Sequence, residues 1–201
     1  MPKLPYAFYQ QDDVTALAQQ LLGKQLFTCV DGKLTGGTIV ETEAYNGITD
    51  KASHAYGGRF TPRTATMYQA GGIAYVYLCY GMHHLFNVVT GTAQVPQAVL
   101  IRGLVPTIGL ATMLERRNMP TLQPRLSAGP GALAKALGID KSLNHKDLLC
   151  DEIWIEDNGI VINPTQIVAT TRVGVAFAQD HALLPWRFYL KGNPYVSKPN
   201  S

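Results

Sequence analysis

Apolar residues alternate with polar ones, or run together over strand lengths, along most of the first half of this chain. Gln25–Val30, Thr38–Tyr45, Ile73–Cys79, His84–Thr90 and Ala98–Leu104 show this pattern and predict strands. Asp31-Gly32 between the first two is a hairpin signal. Further strands fit Ile153–Glu156, Ile167–Val175 and Arg187–Lys191. Helical spacing is confined to shorter stretches. Asp12 or Asp13 can cap a helix running to Leu22, with Leu17, Leu21 and Leu22 on one face and Gly23 as its stop. Pro106–Arg117 and Gly131–Leu137 read as helices, the latter ended by Gly138, and a short helix follows Pro62. Residues 46–62 and 119–125 read as loop. Adjacent strands with helices between some of them predict an α+β fold with a mostly antiparallel sheet. No repeat or linker divides residues 1–201, so a single domain is expected.

Three of these strands hold polar groups where apolar ones fold more easily. Glu41 and Glu43 lie within TIVETEAY, Asn87 within LFNVV and Arg102 within VLIRGL. An unpaired buried charge costs several kcal/mol, so in central strands Glu43 and Arg102 are natural partners. Strand alternation puts Glu41, Glu43 and Tyr45 on one face. The plain reading is a solvent-washed face. Tyr45 at the mouth of a long loop argues instead for a site, with Glu41 structural or solvated. Tyr75 and Tyr77 also share a face, and for Tyr75 ordinary strand propensity is explanation enough. Tyr80 sits against Gly81 at the expected hairpin tip, where a projecting ring can wedge between stacked bases.

Composition narrows the classes. Of 201 residues 46% are hydrophobic and 15% charged, which suits a globular protein. No apolar run reaches the roughly 18 residues of a membrane helix, and the start MPKLPYAFYQQDD lacks the pattern of a signal peptide. Cys29, Cys79 and Cys150 are widely spaced, as free thiols in a reducing cytoplasm would be. No set of metal ligands accompanies His54, and His83 and His84 point to opposite faces of a strand, so a metal site is not expected. Phosphate-loop, dinucleotide and nucleophile-elbow motifs are absent. The charge of +3 permits a polyanion partner without requiring one. Ser127–Gly131 opens a helix with free N–H groups, a possible anion site.

The segments IVETEAYNGITDKASHAYGGRFTPR, YVYLCYGM, FNV, VLIRGLVP, RVGV and RFYLKGNPYVS together resemble the alkyladenine (methylpurine) DNA glycosylase family in its compact bacterial form. They run in family order from Leu21 to Ser197. The resemblance implies that Glu43 activates a water, which Arg102 and the main chain of Val173 help to hold. It implies that Tyr45, His54 and Tyr77 sandwich a flipped base, that Asn87 limits what the pocket accepts, and that Tyr80 enters the DNA. It also implies a single mixed domain built around a curved antiparallel sheet, without metal or cofactor, and as its partner double-stranded DNA carrying alkylated or deaminated purines, bound by a monomer. His83, His84, Leu85 and residues 91–97 depart from the family pattern, which bears on substrate preference.

Two rivals can be weighed on the residues alone. Glu41 and Glu43 as the acid/base pair of a sugar glycosidase would stand only about 6.5–7 Å apart and point the same way. Trp154 and Trp186, the chain's only tryptophans, lie far from these motifs. A binding module that recognises damaged or single-stranded nucleic acid without cutting it is the second rival. A carboxylate in a polyanion-binding cleft costs affinity unless the reaction uses it, which speaks against that reading.

Overall fold

Strand β1 (Gln25–Val30) turns back into β2 (Lys33–Asn46) through Asp31 and Gly32, whose φ angles of 53° and 71° are those of a hairpin turn with left-handed central residues. β2 is the longest strand and the organising one. The computed structural model, which describes residues 2–197, adds β3 (Ala74–Cys79), β4 (His83–Thr90), β5 (Gln97–Ile108), β6 (Ile153–Glu156), β7 (Ile167–Thr170) and β8 (Arg187–Leu190). The strand order is β3-β4-β5-β2-β1-β6, with β8 pairing both β2 and β7, and each of these pairings is antiparallel. β1 covers β2 as far as Thr38, and β8 takes over at Glu41–Glu43. The sheet curls into a half-barrel in a single mixed α+β domain.

Alternation along the strands sorts the two faces. Val76, Phe86, Val88, Val99, Ile101 and Ile39 join one large apolar cluster. It is closed by helix α2 (Val14–Gln20), capped by Asp13, and by α4 (Pro130–Leu137). A short α1 (Tyr6–Tyr9) and α3 (Leu110–Arg117) complete the helices. The intervening residues face the other way. Tyr75, Asn87, Leu100, Glu43 and Arg187 form one cross-strand row, and Val89, Ala98 and Tyr45 form the next.

Two expectations are corrected. The stretch starting at Pro106 is not helical at first: β5 continues to Ile108 and α3 begins at Leu110. Pro106 pairs with Gly37 where the β2–β5 register shifts, and an irregularity in the ladder is where a strand tolerates a residue without N–H. The strand expected over residues 167–175 stops at Thr170. Arg172 turns inward there, and Gly174 follows with φ 74°.

The same register shift makes Gly37 critical. A Cβ there would stand 2.2 Å from the Val105 carbonyl oxygen and 2.4 Å from Leu104 Cδ2, so neighbouring backbone must move. Gly37→Ala should therefore destabilise the protein by about 1–3 kcal/mol. Urea unfolding of parent and variant checks this, and equal midpoints would show that the strand pair absorbs a methyl group freely.

Candidate active site

The curled face encloses a cavity of about 700 Å³ lined by Tyr45, His54, Tyr75, Tyr77, Asn87, Leu100, Arg102 and Val173, among others, with Tyr80 at its rim. Seven of the eight residues singled out from the sequence line it; the eighth, Glu43, lies under the wall. Glu43 is wholly buried. Its Oε1 accepts from the Val173 N–H at 2.7 Å, its Oε2 accepts from the Tyr45 hydroxyl at 2.8 Å, and Arg102 Nη1 stands 3.4 Å from Oε2. All three groups that touch the carboxylate belong to cavity-lining residues.

Arg102 is the expected partner, but Glu43 is not its first one. Its Nε donates to Glu41 Oε1 at 2.9 Å. Bulges on both strands explain this. The β2–β5 register shifts on either side of Glu41, which pairs with Gly103, while Thr42 already pairs with Ile101. Arg102 is thereby left out of the regular ladder, placed between the two carboxylates. Burial alone would lower its pKa, but Glu43 and Glu41 outweigh that and hold it above its ordinary value. Glu41 is not solvated. It also accepts from Arg187 Nε at 2.8 Å and from the Ser197 N–H and hydroxyl at 2.6 and 2.7 Å. With four donors filling its acceptor positions, it has no capacity left to serve as the second carboxylate of a sugar glycosidase.

The aromatic wall is held by its own hydrogen bonds. His54 Nδ1 lies 2.9 Å from the Tyr75 hydroxyl, and its Nε2 lies 3.2 Å from Arg63 Nη2. Arginine only donates, so Nε2 accepts and the ring proton sits on Nδ1. Burial first, then Arg63 and Arg59, lowers the His54 pKa to about 4. The His54 ring meets Tyr77 edge-on at 4.6 Å, Tyr75 lies 5.4 Å from Tyr77, and the Arg63 guanidinium stands 4.8 Å from the Tyr77 ring centre. Tyr75 thus supports the wall through its hydroxyl, beyond the strand propensity that seemed sufficient to explain it. Burial pushes its pKa up to about 12. Burial, followed by the neighbouring Glu43, keeps the Tyr45 hydroxyl protonated as a donor. Asn87 is buried, and its Nδ2 donates to the Tyr75 carbonyl at 3.1 Å.

Tyr80 is different in kind. It is 86% exposed, with Gly81 beside it. The φ values of 50° and 69° and the Met82 N–H to Cys79 O bond of 3.1 Å define a tight turn with two left-handed residues. A bulky side chain is rare in that conformation. Sequence reasoning missed Arg187, Asp50 and Arg172, all buried charges near the site. The only signal for all three was their place inside the segments that carry the family resemblance, Asp50 in NGITDKASH and the arginines in RVGV and RFYL. Among the described residues no group of three or more His, Cys, Asp or Glu is placed to hold a metal.

Comparison with known proteins gives a consistent picture. A family model described as methylpurine-DNA glycosylase matches residues 7–194. A relative from Chlamydia felis is 47% identical over 189 residues, covering 93% of this chain and 95% of its own. Another, from Chlamydia pneumoniae, is 47% identical over 184 residues, covering 91% and 92%. A third, from Desulfitobacterium hafniense, is 42% identical over 204 residues, covering 98% and 99%. Each of the three bears the name "Putative 3-methyladenine DNA glycosylase".

The environment of His54 has a measurable consequence. The fold resists protonating this ring, so the native state binds fewer protons than the unfolded chain between about 4 and the ordinary 6.5. The stability this contributes is fully present above pH 6.5 and is lost as pH falls through about 4. The His54 ring proton signal should titrate with a midpoint at about 4 by NMR, and His54→Gln should flatten the melting temperature over that window. An ordinary midpoint in the parent would contradict the half-buried, Arg63-facing ring.

Proposed function

The chain belongs to the methylpurine-DNA glycosylase family, enzymes that hydrolyse N-glycosyl bonds, and we propose that it excises alkylated or deaminated purines from duplex DNA, leaving an abasic site in an unbroken strand. The observation that carries this reading is Glu43, buried and gripped by three groups that line one aromatic cavity. The candidate substrates are 3-methyladenine, 7-methylguanine, hypoxanthine and ethenoadenine. The free thiols Cys29, Cys79 and Cys150 suit the reducing cytoplasm.

A base within a duplex is out of reach and has to be extruded, at a cost of a few kcal/mol that is least for damaged or weakly paired bases. Stacking on aromatic rings returns about 1–3 kcal/mol per base. Here Tyr45 would form one wall, with His54 and Tyr77 as the other, and Asn87 would meet the purine edge. A ring alkylated at N3 or N7 carries a delocalised positive charge, which favours stacking on an electron-rich face. The Tyr77 face already has the Arg63 cation over it. Tyr80, on its strained turn, would fill the gap left in the stack.

The chemistry then needs a water and an acceptor for its proton. Water would reach Glu43 on its loosest side, where Arg102 stands at 3.4 Å and the Val173 main chain is close by. The carboxylate takes the proton as the water oxygen bonds to the sugar carbon and the base departs. Its negative charge also stabilises the positive charge developing on the sugar.

Two expected outcomes test this reading. Glu43→Gln should fold and bind lesion duplexes, yet lose excision by about 10²–10⁴-fold, read from abasic sites cleaved by alkali. Glu41→Gln should instead lower stability, by about 3–5 kcal/mol, because it uncovers buried arginines. Equal catalytic loss in both, with both stably folded, would refute the division between them. Tyr80→Ala should weaken binding to a paired lesion more than to the same lesion in a mismatch, because a wedge acts on the cost of flipping. Identical losses on the two duplexes would rule out a wedge.

A further inference from the structure

Neither Asp50 nor Arg172 lines the cavity, yet three parts of the site depend on where they sit. Both side chains are completely buried, and they pair through both carboxylate oxygens, Nη1 to Oδ2 at 2.5 Å and Nη2 to Oδ1 at 2.9 Å. Arg172 Nη1 also donates to the Ala44 carbonyl at 2.9 Å, and Nη2 donates to the His181 carbonyl at 3.1 Å. Its guanidinium lies 4.8 Å from the Tyr45 ring centre and 5.1 Å from that of Trp186. The next residue along is Val173, whose N–H holds Glu43 at 2.7 Å. Asp50 folds its own loop, accepting from the N–H groups of Asn46 at 3.2 Å and Ala52 at 3.0 Å. That loop leads straight to His54.

Resting on the activity proposed above, we propose that the Asp50–Arg172 pair is the positioning device of the reaction. One rigid guanidinium fixes the backbone behind Tyr45, supports that ring, and sets the Val173 N–H against Glu43. Its carboxylate partner sets the start of the loop that presents His54. The planar fork is what makes this possible, because it serves four acceptors in one plane and still offers its faces to rings. A lysine retains the charge but not that geometry. The pair acts through other residues, so it governs the excision step, while the DNA surface around Tyr80 keeps its grip.

The test uses Arg172→Lys and the charge-neutral double variant Asp50→Asn/Arg172→Gln, so that one readout survives if either variant folds poorly. Three quantities are compared with the parent. They are Kd for a duplex carrying a tetrahydrofuran abasic analogue, the single-turnover excision rate on the purine lesion the parent removes fastest, and hydrogen exchange of the Val173 amide. Kd should stay within about threefold, while excision falls by about 10²-fold, the order expected for a misplacement near 1 Å. Exchange at Val173 should accelerate at least about tenfold as its bond to Glu43 loosens. Rates and Kd that fall together, in step with the melting temperature, would leave the pair merely structural and overturn the inference. So would unchanged excision and exchange in a folded variant. A parent that excises none of the purine lesions would refute the proposed function itself, and the Val173 exchange would still report on the pair.

Discussion

Six charged side chains are buried among the described residues, and they cancel: Glu41, Glu43 and Asp50 against Arg102, Arg172 and Arg187. A carboxylate taken out of water is tolerated only where cations and N–H groups are fixed around it. Two carboxylates on one face of β2 compound the problem, since like charges repel. The paired bulges of β2 and β5 answer it by pushing Arg102 between them. β8 brings Arg187 to Glu41 just beyond the point where β1 leaves β2. Strand order and register thus follow the placement of charge as much as the apolar pattern.

The same burial sets the character of the cavity. Tyr45, Tyr75 and Tyr77 are held protonated, and His54 neutral, chiefly because charged forms are poorly solvated there. The walls therefore present neutral rings and hydroxyl donors at any ordinary pH. Such a surface would suit the flat, electron-poor base proposed as its guest. The hairpin tip complements it from outside, where the Tyr80 ring stands free of its own sheet in a strained backbone conformation. Its exposure is costly in isolation and makes sense as a surface awaiting a partner.

Much of this was legible from residue order, and the limits have physical causes. β1 and β6 lie where their apolar patterns predict, and Asp13 caps the first long helix. Glu43, Asn87 and Arg102 stood out because each interrupts an apolar strand, and all three meet at the cavity. Their pairing was less legible, because bulges displace register without a mark in composition. Pro106 read as a helix start, since its tolerance within a strand depends on an irregularity supplied by Gly37. Asp50 and Arg172 lie in loops, 122 positions apart, where periodicity carries no information. They also belong to no local motif that would name them as partners.

Why the proposed chemistry falls to one of two neighbouring carboxylates and not to the other follows from their donors. An ionised carboxylate offers about four acceptor positions. Glu41 receives hydrogen bonds from Arg102 Nε, Arg187 Nε, the Ser197 hydroxyl and the Ser197 N–H, which fills it. Glu43 receives two, from Val173 and Tyr45, with Arg102 at a longer 3.4 Å. It therefore retains capacity on the side where Arg102 is loosest, and a water entering there would be held by the acceptor proposed to take its proton. The fold spends one carboxylate on joining β2, β5, β8 and the segment at Ser197, and that junction keeps the other fixed, desolvated and incompletely satisfied. A proton acceptor needs all three conditions at once, and an exposed strand carboxylate has none of them.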